Sequence, residues 1–450
     1  MVAILRIKPK DIDTKEKRGN YTVCVIGCKE KGILYAISFI RAGFKVICTD
    51  PDLTLVNDLS RGKTIFFDTE IETKLKIFLK RRLLSVTSEL QNAVSQSNII
   101  VMTLATKIDS KKQPDYSELE SVCKQVGKSL NRGVLFIYGG NADLGFTEGV
   151  VKETLENTSG LRMGEDFGLV YAPIQFLGWH PSISSESQEV KVAAQDETSL
   201  DTAGIVLKEV TGKDVKRISD FRTAEAVLLF TIAMQDANLA LANELAIFCE
   251  NAGIDYFEIL NLVNTHAPRF TPSVETNQIE RNEAYLLLES AENLNVKLRL
   301  PTLARKINED IVRHAFTLTK DALRSCGKTI RRARIAVFGT AKPKTATAIF
   351  VKMLERRGAK AYLYDPFLSK SRVSEGSRML KRSMKETVEG ADCIVLLTSH
   401  DQFKRLNLKR LITVMKMPAT MVDLVGLYEP NKVERKGLKY RGLGRRVENK

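Results

Sequence analysis

The sequence carries no CxxC pair among its seven cysteines, only four histidines and a single tryptophan. Scattered cysteines without paired spacing exclude a disulfide framework and a thiolate zinc site, and they suit a reducing cytoplasm. Four histidines leave little from which to build a His-rich metal centre, so no metal is expected. No uniformly apolar run of about eighteen residues is found, so no membrane span is expected. Residues 1–20, rich in Lys, Asp and Arg after a short apolar start, lack a leader's apolar stretch and read as a polar, basic, solvated arm. Basic residues interleaved with aromatics are also missing, which removes a stacking platform for nucleic acid.

What is present is charge. The net charge is +15, and part of it sits in residues 433–450, a basic tail carrying Arg435, Lys436, Lys439, Arg441, Arg445, Arg446 and Lys450. Such a surface recruits phosphate-bearing ligands or nucleic acid, or simply keeps the protein in solution. A nucleic-acid-binding protein is therefore the least supported of the readings, because it rests on charge alone. A chain of 450 residues is too long for one core and implies two or three domains.

Twice an apolar strand runs into a glycine turn, a helix, and a second strand ending in Asp-Pro. The first copy runs from Val23-Cys24-Val25-Ile26-Gly27 through Gly32 to Thr49-Asp50-Pro51; the second runs from Ile335-Ala336-Val337-Phe338-Gly339 to Tyr364-Asp365-Pro366. This is how a nucleotide-binding βαβ unit begins, with a helix N-terminus turned towards a phosphate. Asn98–Leu104, Gly133–Tyr138 and Phe167–Tyr171 read as further buried parallel strands. From Thr223 to Asn251 the pattern becomes one helix of about eight turns, and a second helix follows at Leu303–Ser325. The α/β pattern then returns, with strands at Cys393–Thr398 and Thr420–Asp423.

Thr106-Lys107-Ile108-Asp109, Gly145-Phe146-Thr147-Glu148, Ala224-Glu225-Ala226 with Asn243-Glu244, Pro268-Arg269-Phe270, Leu303-Ala304-Arg305-Lys306-Ile307-Asn308, Tyr364-Asp365-Pro366 and Tyr440-Arg441-Gly442-Leu443-Gly444-Arg445 follow one another in order. In that order they resemble the UDP-glucose/GDP-mannose dehydrogenase family, nearest to its UDP-N-acetylmannosamine branch. The resemblance implies an α/β fold of two Rossmann-like doubly wound domains joined by a central long-helix dimerisation domain. The expected boundaries are 21–210 for an NAD-binding domain, 211–328 for the helical domain and 329–432 for a UDP-sugar-binding domain. It implies NAD as cofactor, a UDP-sugar or related nucleotide sugar as substrate, and dimerisation through the long helix; a homodimer, or a heterodimer with an active homologue, is the expectation. The family oxidises the sugar's primary alcohol to a carboxylate in two hydride transfers, with a cysteine thiolate holding the aldehyde between them.

The residues that should do this chemistry are missing. The family's Gly-Gly-x-Cys-x-Pro-Lys-Asp loop should follow Pro-Arg-Phe, but residues 271–285 contain no cysteine and no glycine. The nearest cysteines, Cys249 and Cys326, read as small apolar fillers. The family's lysine and asparagine on the long helix fall at Leu228 and Ile232, four apart on one apolar face. The family's Glu after Pro falls at Ile174, and Asn141 stands where a threonine belongs. No catalytic residue is assigned.

The nucleotide sites are also altered. The fingerprint Gly27-Cys28-Lys29-Glu30-Lys31-Gly32 has Lys29 in place of its middle glycine. That lysine either reaches a phosphate or blocks it, and weakened NAD binding is the expectation. Asp50, twenty-three residues after Gly27, suits a ribose hydroxyl or an ordinary strand-end turn. With Thr106 these make the expected cofactor set: Gly27, Lys29, Gly32, Asp50 and Thr106. For the substrate the resemblance implies Arg269 and Phe270. In the shortened run after Gly339, Lys342 and Lys344 are the remaining phosphate partners, although a lysine does not replace the family's bidentate arginine. The expectation is thus a catalytically impaired or reassigned homologue, a pseudoenzyme. The alternative is an active NAD-dependent UDP-sugar oxidoreductase with variant site residues.

Overall fold

The computed structural model describes residues 5–64, 66–67, 69–109, 111–173, 189–263, 271–275, 283–341, 345–366 and 379–446. The chain divides into two compact units, Met1–Thr231 with Tyr285–Val296, and Ile232–Ala284 with Lys297–Lys450.

The first unit is built on strands β1 (Thr22–Ile26), β2 (Lys45–Thr49), β3 (Leu84–Thr87), β4 (Ile99–Met102), β7 (Leu135–Tyr138), β8 (Gly168–Tyr171), β9 (Val190–Ala194) and β10 (Val215–Ile218). The short pair β5 (Lys107–Ile108) and β6 (Pro114–Asp115) forms a separate antiparallel ribbon. The large sheet has the order β10-β9-β8-β7-β4-β1-β2-β3 and is parallel except where β8 meets β9. Apolar and aromatic side chains dominate β1, β4 and β7 because both faces of a parallel sheet are covered, and all four residues of β4 and of β7 are buried. The order reverses at β1, where β2 lies on one side and β4 on the other. This switch point is where a doubly wound sheet opens a crevice beyond its carboxyl ends. Residues 5–20 differ from the expected solvated arm: Leu5, Ile7 and Ile12 are buried in this unit's core, and Arg18 is buried against Glu209. Their apolar side chains, spaced among lysines, pack while the lysines stay in water.

The second unit holds a five-stranded, wholly parallel sheet of β11 (Arg334–Phe338), β12 (Lys360–Tyr364), β13 (Cys393–Leu396), β14 (Thr420–Asp423) and β15 (Lys439–Gly442) in the order β12-β11-β13-β14-β15. Its switch point lies between β11 and β13, the flavodoxin-like variant of the same rule. Strand β15 and Arg445 belong to the stretch expected as a basic tail. Instead β15 completes the sheet beside β14, and Arg445 is buried, paired with Asp255 at 3.1 Å and lying over the Phe257 ring.

The helix Phe221–Ala252 is a single element of 32 residues. By length and composition alone it is apolar enough to cross a membrane, a match that soluble core helices also give. Its polar residues argue for a core role. Asp236, on the part within the second unit, pairs with Arg305 at 3.1 Å and accepts from Asn308 Nδ2 at 2.8 Å, all three buried. Asn243 donates to Asn308 at 3.0 Å. This buried network ties the helix to Arg299–Ser325, and it opposes the Asp236 carboxylate with the Arg305 guanidinium, since a buried charge needs a counter-charge.

Gly32 illustrates how tightly the first unit's turn is built, since a Cβ there would stand 1.7 Å from the Gly27 carbonyl oxygen. Replacement of Gly32 by alanine is expected to cost more than about 2 kcal/mol. The check is the midpoint of urea or thermal unfolding, and an unchanged midpoint would contradict the packing described.

Candidate functional site

The first cradle sits at the carboxyl end of β1. Gly27 has φ of +99°, a conformation that side chains rarely adopt, and a Cβ there would press on Thr103 Oγ1 at 2.8 Å. The chain then enters the helix Glu30–Ala42, whose N-cap is Lys29. Lys29 has extended backbone that any residue adopts, makes no side-chain capping bond and is exposed. Its side chain therefore does not fill the turn. Asp50 is buried under this turn: its carboxylate accepts from Cys28 N at 2.7 Å and from Asp52 N at 2.9 Å. Each oxygen keeps a further lone pair for a ligand hydroxyl.

Thr106 lies in the loop after β4. Its N–H and its hydroxyl both donate to the Asn141 carbonyl, at 3.2 and 3.1 Å. The Asn141 side chain accepts from Lys31 Nζ at 3.2 Å. Gly27, Lys29, Gly32 and Asp50 thus surround one turn. Thr106 belongs to a second group that joins the loop after β4, the loop after β7 and the helix Glu30–Ala42. Lys31 and Asn141 were not expected as partners. A lysine two residues beyond the middle of the fingerprint was the available signal, but sequence spacing does not show which loop it reaches.

Deeper in the first unit is an acidic group. Tyr116 donates to Asp143 at 2.6 Å, and its ring stacks on Phe146. Burial pushes the Asp143 carboxyl above its ordinary range, with the Tyr116 hydrogen bond opposing. Glu225, on the long helix, accepts from Gly145 N at 2.6 Å and Thr147 N at 2.8 Å. It caps the wide helical turn Thr147–Lys152. Burial raises Glu225 as well, against the hydrogen bonds from Thr147 and Gly145.

One turn beyond Glu225 the helix offers no donor. Leu228 is 5 % exposed and Ile232 is 2 % exposed. An aliphatic side chain has no hydrogen-bond donor to offer a developing oxyanion. All seven cysteines are described, free and buried. Burial pushes Cys123 up to about 12, and Cys249 is raised by burial and by Asp255 and Glu250. A thiol raised in this way is a poor source of thiolate.

The second cradle repeats the first in outline, with the aspartate holding an amide one residue further along the turn. Gly339 N donates to Tyr364 O at 3.2 Å, as Gly27 N donates to Thr49 O at 2.9 Å. Ala341 N donates to Asp365 Oδ2 at 2.7 Å, as Cys28 N donates to Asp50. Asp365 was not among the expected site residues, although its repeated Asp-Pro was on view. Arg269, Phe270, Lys342, Lys344 and Ile174 lie outside the described residues.

Two strand–glycine–helix cradles, each closed by a strand-end aspartate at a sheet switch point, define a nucleotide-binding α/β protein of the dehydrogenase type. The chain belongs to the UDP-glucose/GDP-mannose dehydrogenase family. The family's NAD binding domain matches residues 21–178, its central domain residues 222–310, and its UDP binding domain residues 344–430. NAD is accordingly the cofactor, and a nucleotide sugar the class of substrate, that these domains specify.

Among curated relatives, the UDP-N-acetyl-D-mannosamine dehydrogenase of Pyrococcus horikoshii is 28% identical over 94% of this chain and 99% of its own length. The UDP-N-acetyl-D-glucosamine 6-dehydrogenase of Pseudomonas aeruginosa is 24% identical over 91% of this chain and 98% of its own. The solved Pyrococcus horikoshii UDP-D-ManNAc dehydrogenase superposes with a TM-score of 0.78 at 26% identity, covering 94% of this chain and 99% of that one. A UDP-glucose dehydrogenase from Pyrobaculum islandicum shares the fold, with a TM-score of 0.77 at 20% identity over 98% of this chain and all of that one.

The raised carboxyls give a test with a definite sign. A carboxyl whose folded value lies above its unfolded one stabilises fully below the unfolded value, and that contribution is lost as pH rises through the folded value. Asp143→Asn keeps an acceptor for Tyr116 and removes the buried charge. The variant should melt at or above the wild-type temperature at neutral pH, with the difference shrinking as both are taken into the acid range. A variant less stable at neutral pH, with a gap that stays constant on acidification, would contradict this assignment.

Proposed function

We propose that this protein is a nucleotide-sugar dehydrogenase homologue that keeps the NAD and nucleotide-sugar scaffold without the family's two-step oxidation. One observation carries the reading: beyond Glu225 the long helix carries buried aliphatic side chains at Leu228 and Ile232, with no donor at either. Residues 271–285, where the family's cysteine loop is expected, supply no cysteine, and every thiol in the chain is buried elsewhere. Losing a nucleophile and an oxyanion donor together removes both the capture of the aldehyde and the stabilisation of the alkoxide.

On this reading the turn from Gly27 to Gly32 holds the NAD pyrophosphate at the helix N-terminus, with Lys29 at its mouth. Asp50 offers its remaining lone pairs to a ribose, and Thr106 lines the same crevice. NAD, when bound, would supply the hydride acceptor. The chain's own part is to hold it. Arg269, Phe270, Lys342 and Lys344 stay as proposed contacts to the nucleotide sugar. The seven free thiols suit a cytoplasmic protein.

Purified protein incubated with NAD and a panel of UDP-sugars, UDP-N-acetylmannosamine included, should yield no NADH above the background of the boiled protein. Clear NADH production with any of them would overturn the proposal.

A dimer made through the long helix, with a second copy or with an active homologue, fits its exposed apolar stripe. Met234 is 66% exposed and Phe248 63%, with Leu241 and Leu245 between them on the same side. Sedimentation should show a dimer, and Phe248→Asp should shift it towards monomer. A wild-type protein that stays monomeric at micromolar concentration would rule out the homodimer.

A further inference from the structure

The helix Ala346–Arg356 opens the second unit's strand–glycine–helix motif, and the chain itself occupies its N-terminus. Thr345 is the N-cap: its hydroxyl accepts from Ala348 N at 3.3 Å, and its carbonyl from Ile349 N at 3.1 Å. The two amides before these go to one carboxylate. Ala346 N donates to Glu275 Oε1 at 3.3 Å and Thr347 N to Glu275 Oε2 at 2.8 Å. The Thr347 hydroxyl adds a third bond to Oε2 at 2.8 Å. Glu275 is only 8% exposed.

A carboxylate bound by two first-turn amides and a hydroxyl is the arrangement in which a helix N-terminus holds an anion. In a doubly wound nucleotide unit that anion is the ligand's phosphate. The first unit is different, because Lys29 caps its helix without any side-chain bond and adds positive charge. The two cradles share a turn and an aspartate, yet one presents a cation at its helix mouth and the other a buried anion.

We propose that Glu275 is a built-in competitor for nucleotide phosphate in the second unit, so that binding there requires its carboxylate to leave the helix. A phosphate brought beside a seated carboxylate meets like charge with the amides already taken. The apparent affinity of the unit is then lowered by the fraction of molecules in which Glu275 is in place. Glu275 lies in the segment where the family carries its nucleophile loop, so the segment that lacks the cysteine supplies the acid that closes the cradle. The inference rests on reading the second unit as a nucleotide-sugar site, and its test separates the two.

The full-length protein, Glu275→Gln and Thr347→Val are titrated calorimetrically with inorganic pyrophosphate and, separately, with UDP, after circular dichroism has confirmed folding. Glu275→Gln should bind both at least about tenfold more tightly than wild type, because the competing charge is gone while the amides remain. Thr347→Val, which removes one of three donors to Glu275, should show a smaller gain. A gain for pyrophosphate without one for UDP would uphold the role of Glu275 and overturn the uridine-nucleotide reading of the unit. A folded Glu275→Gln with no gain for either ligand would overturn the proposal. Should that variant fail to fold, Thr347→Val decides, and affinities equal to wild type would count as refutation.

Discussion

The arrangement on which both nucleotide units depend is a buried aspartate accepting from an amide of the glycine turn. Asp50 holds Cys28 N, and Asp365 holds Ala341 N, at the same 2.7 Å. A turn that aims helix amides at a ligand leaves its own backbone groups without strand partners, and a buried unpaired amide is costly. The aspartate at the end of the next parallel strand answers that need from directly alongside, because the strands run in register. Proline after each aspartate ends the strand there. The Asp-Pro repeat is thus a structural requirement of the cradle before it is a ligand contact.

Much of the fold was legible because it is written in local pattern. Unbroken apolar runs marked β4, β7 and β13, and the stretch without glycine or proline from Thr223 marked the long helix, which extends from Phe221 to Ala252. The ends of the chain were not legible. Ile7 and Ile12 stand among charges, and the residues around Tyr440 stand among lysines and arginines, so composition pointed to solvated arms. Long basic side chains reach water from a packed backbone, and tertiary contacts decided the matter. The order of motifs supplied the absent loop cysteine and the aliphatic Leu228 and Ile232 as expectations, and the structure adds that both side chains are buried. Contacts between distant residues, such as Lys31 with Asn141 and Glu275 with Thr347, carry no sequence signature.

Lys29 changed meaning most. As a residue inside the fingerprint it suggested obstruction. In the structure it is exposed at the helix mouth with ordinary extended backbone, and the turn's closeness is enforced by Gly27 and Gly32. The first unit therefore retains the geometry of an anion cradle, and one turn beyond Glu225 the long helix carries the buried aliphatic Leu228.

The most direct test is calorimetry under turnover conditions, in which a UDP-sugar is injected into protein saturated with NAD. The account predicts a saturable NAD isotherm with one site per chain, followed by sugar-nucleotide injections after which the thermal power returns to baseline. A sustained displacement of the baseline, proportional to protein concentration, would show continuing oxidation and contradict the central claim.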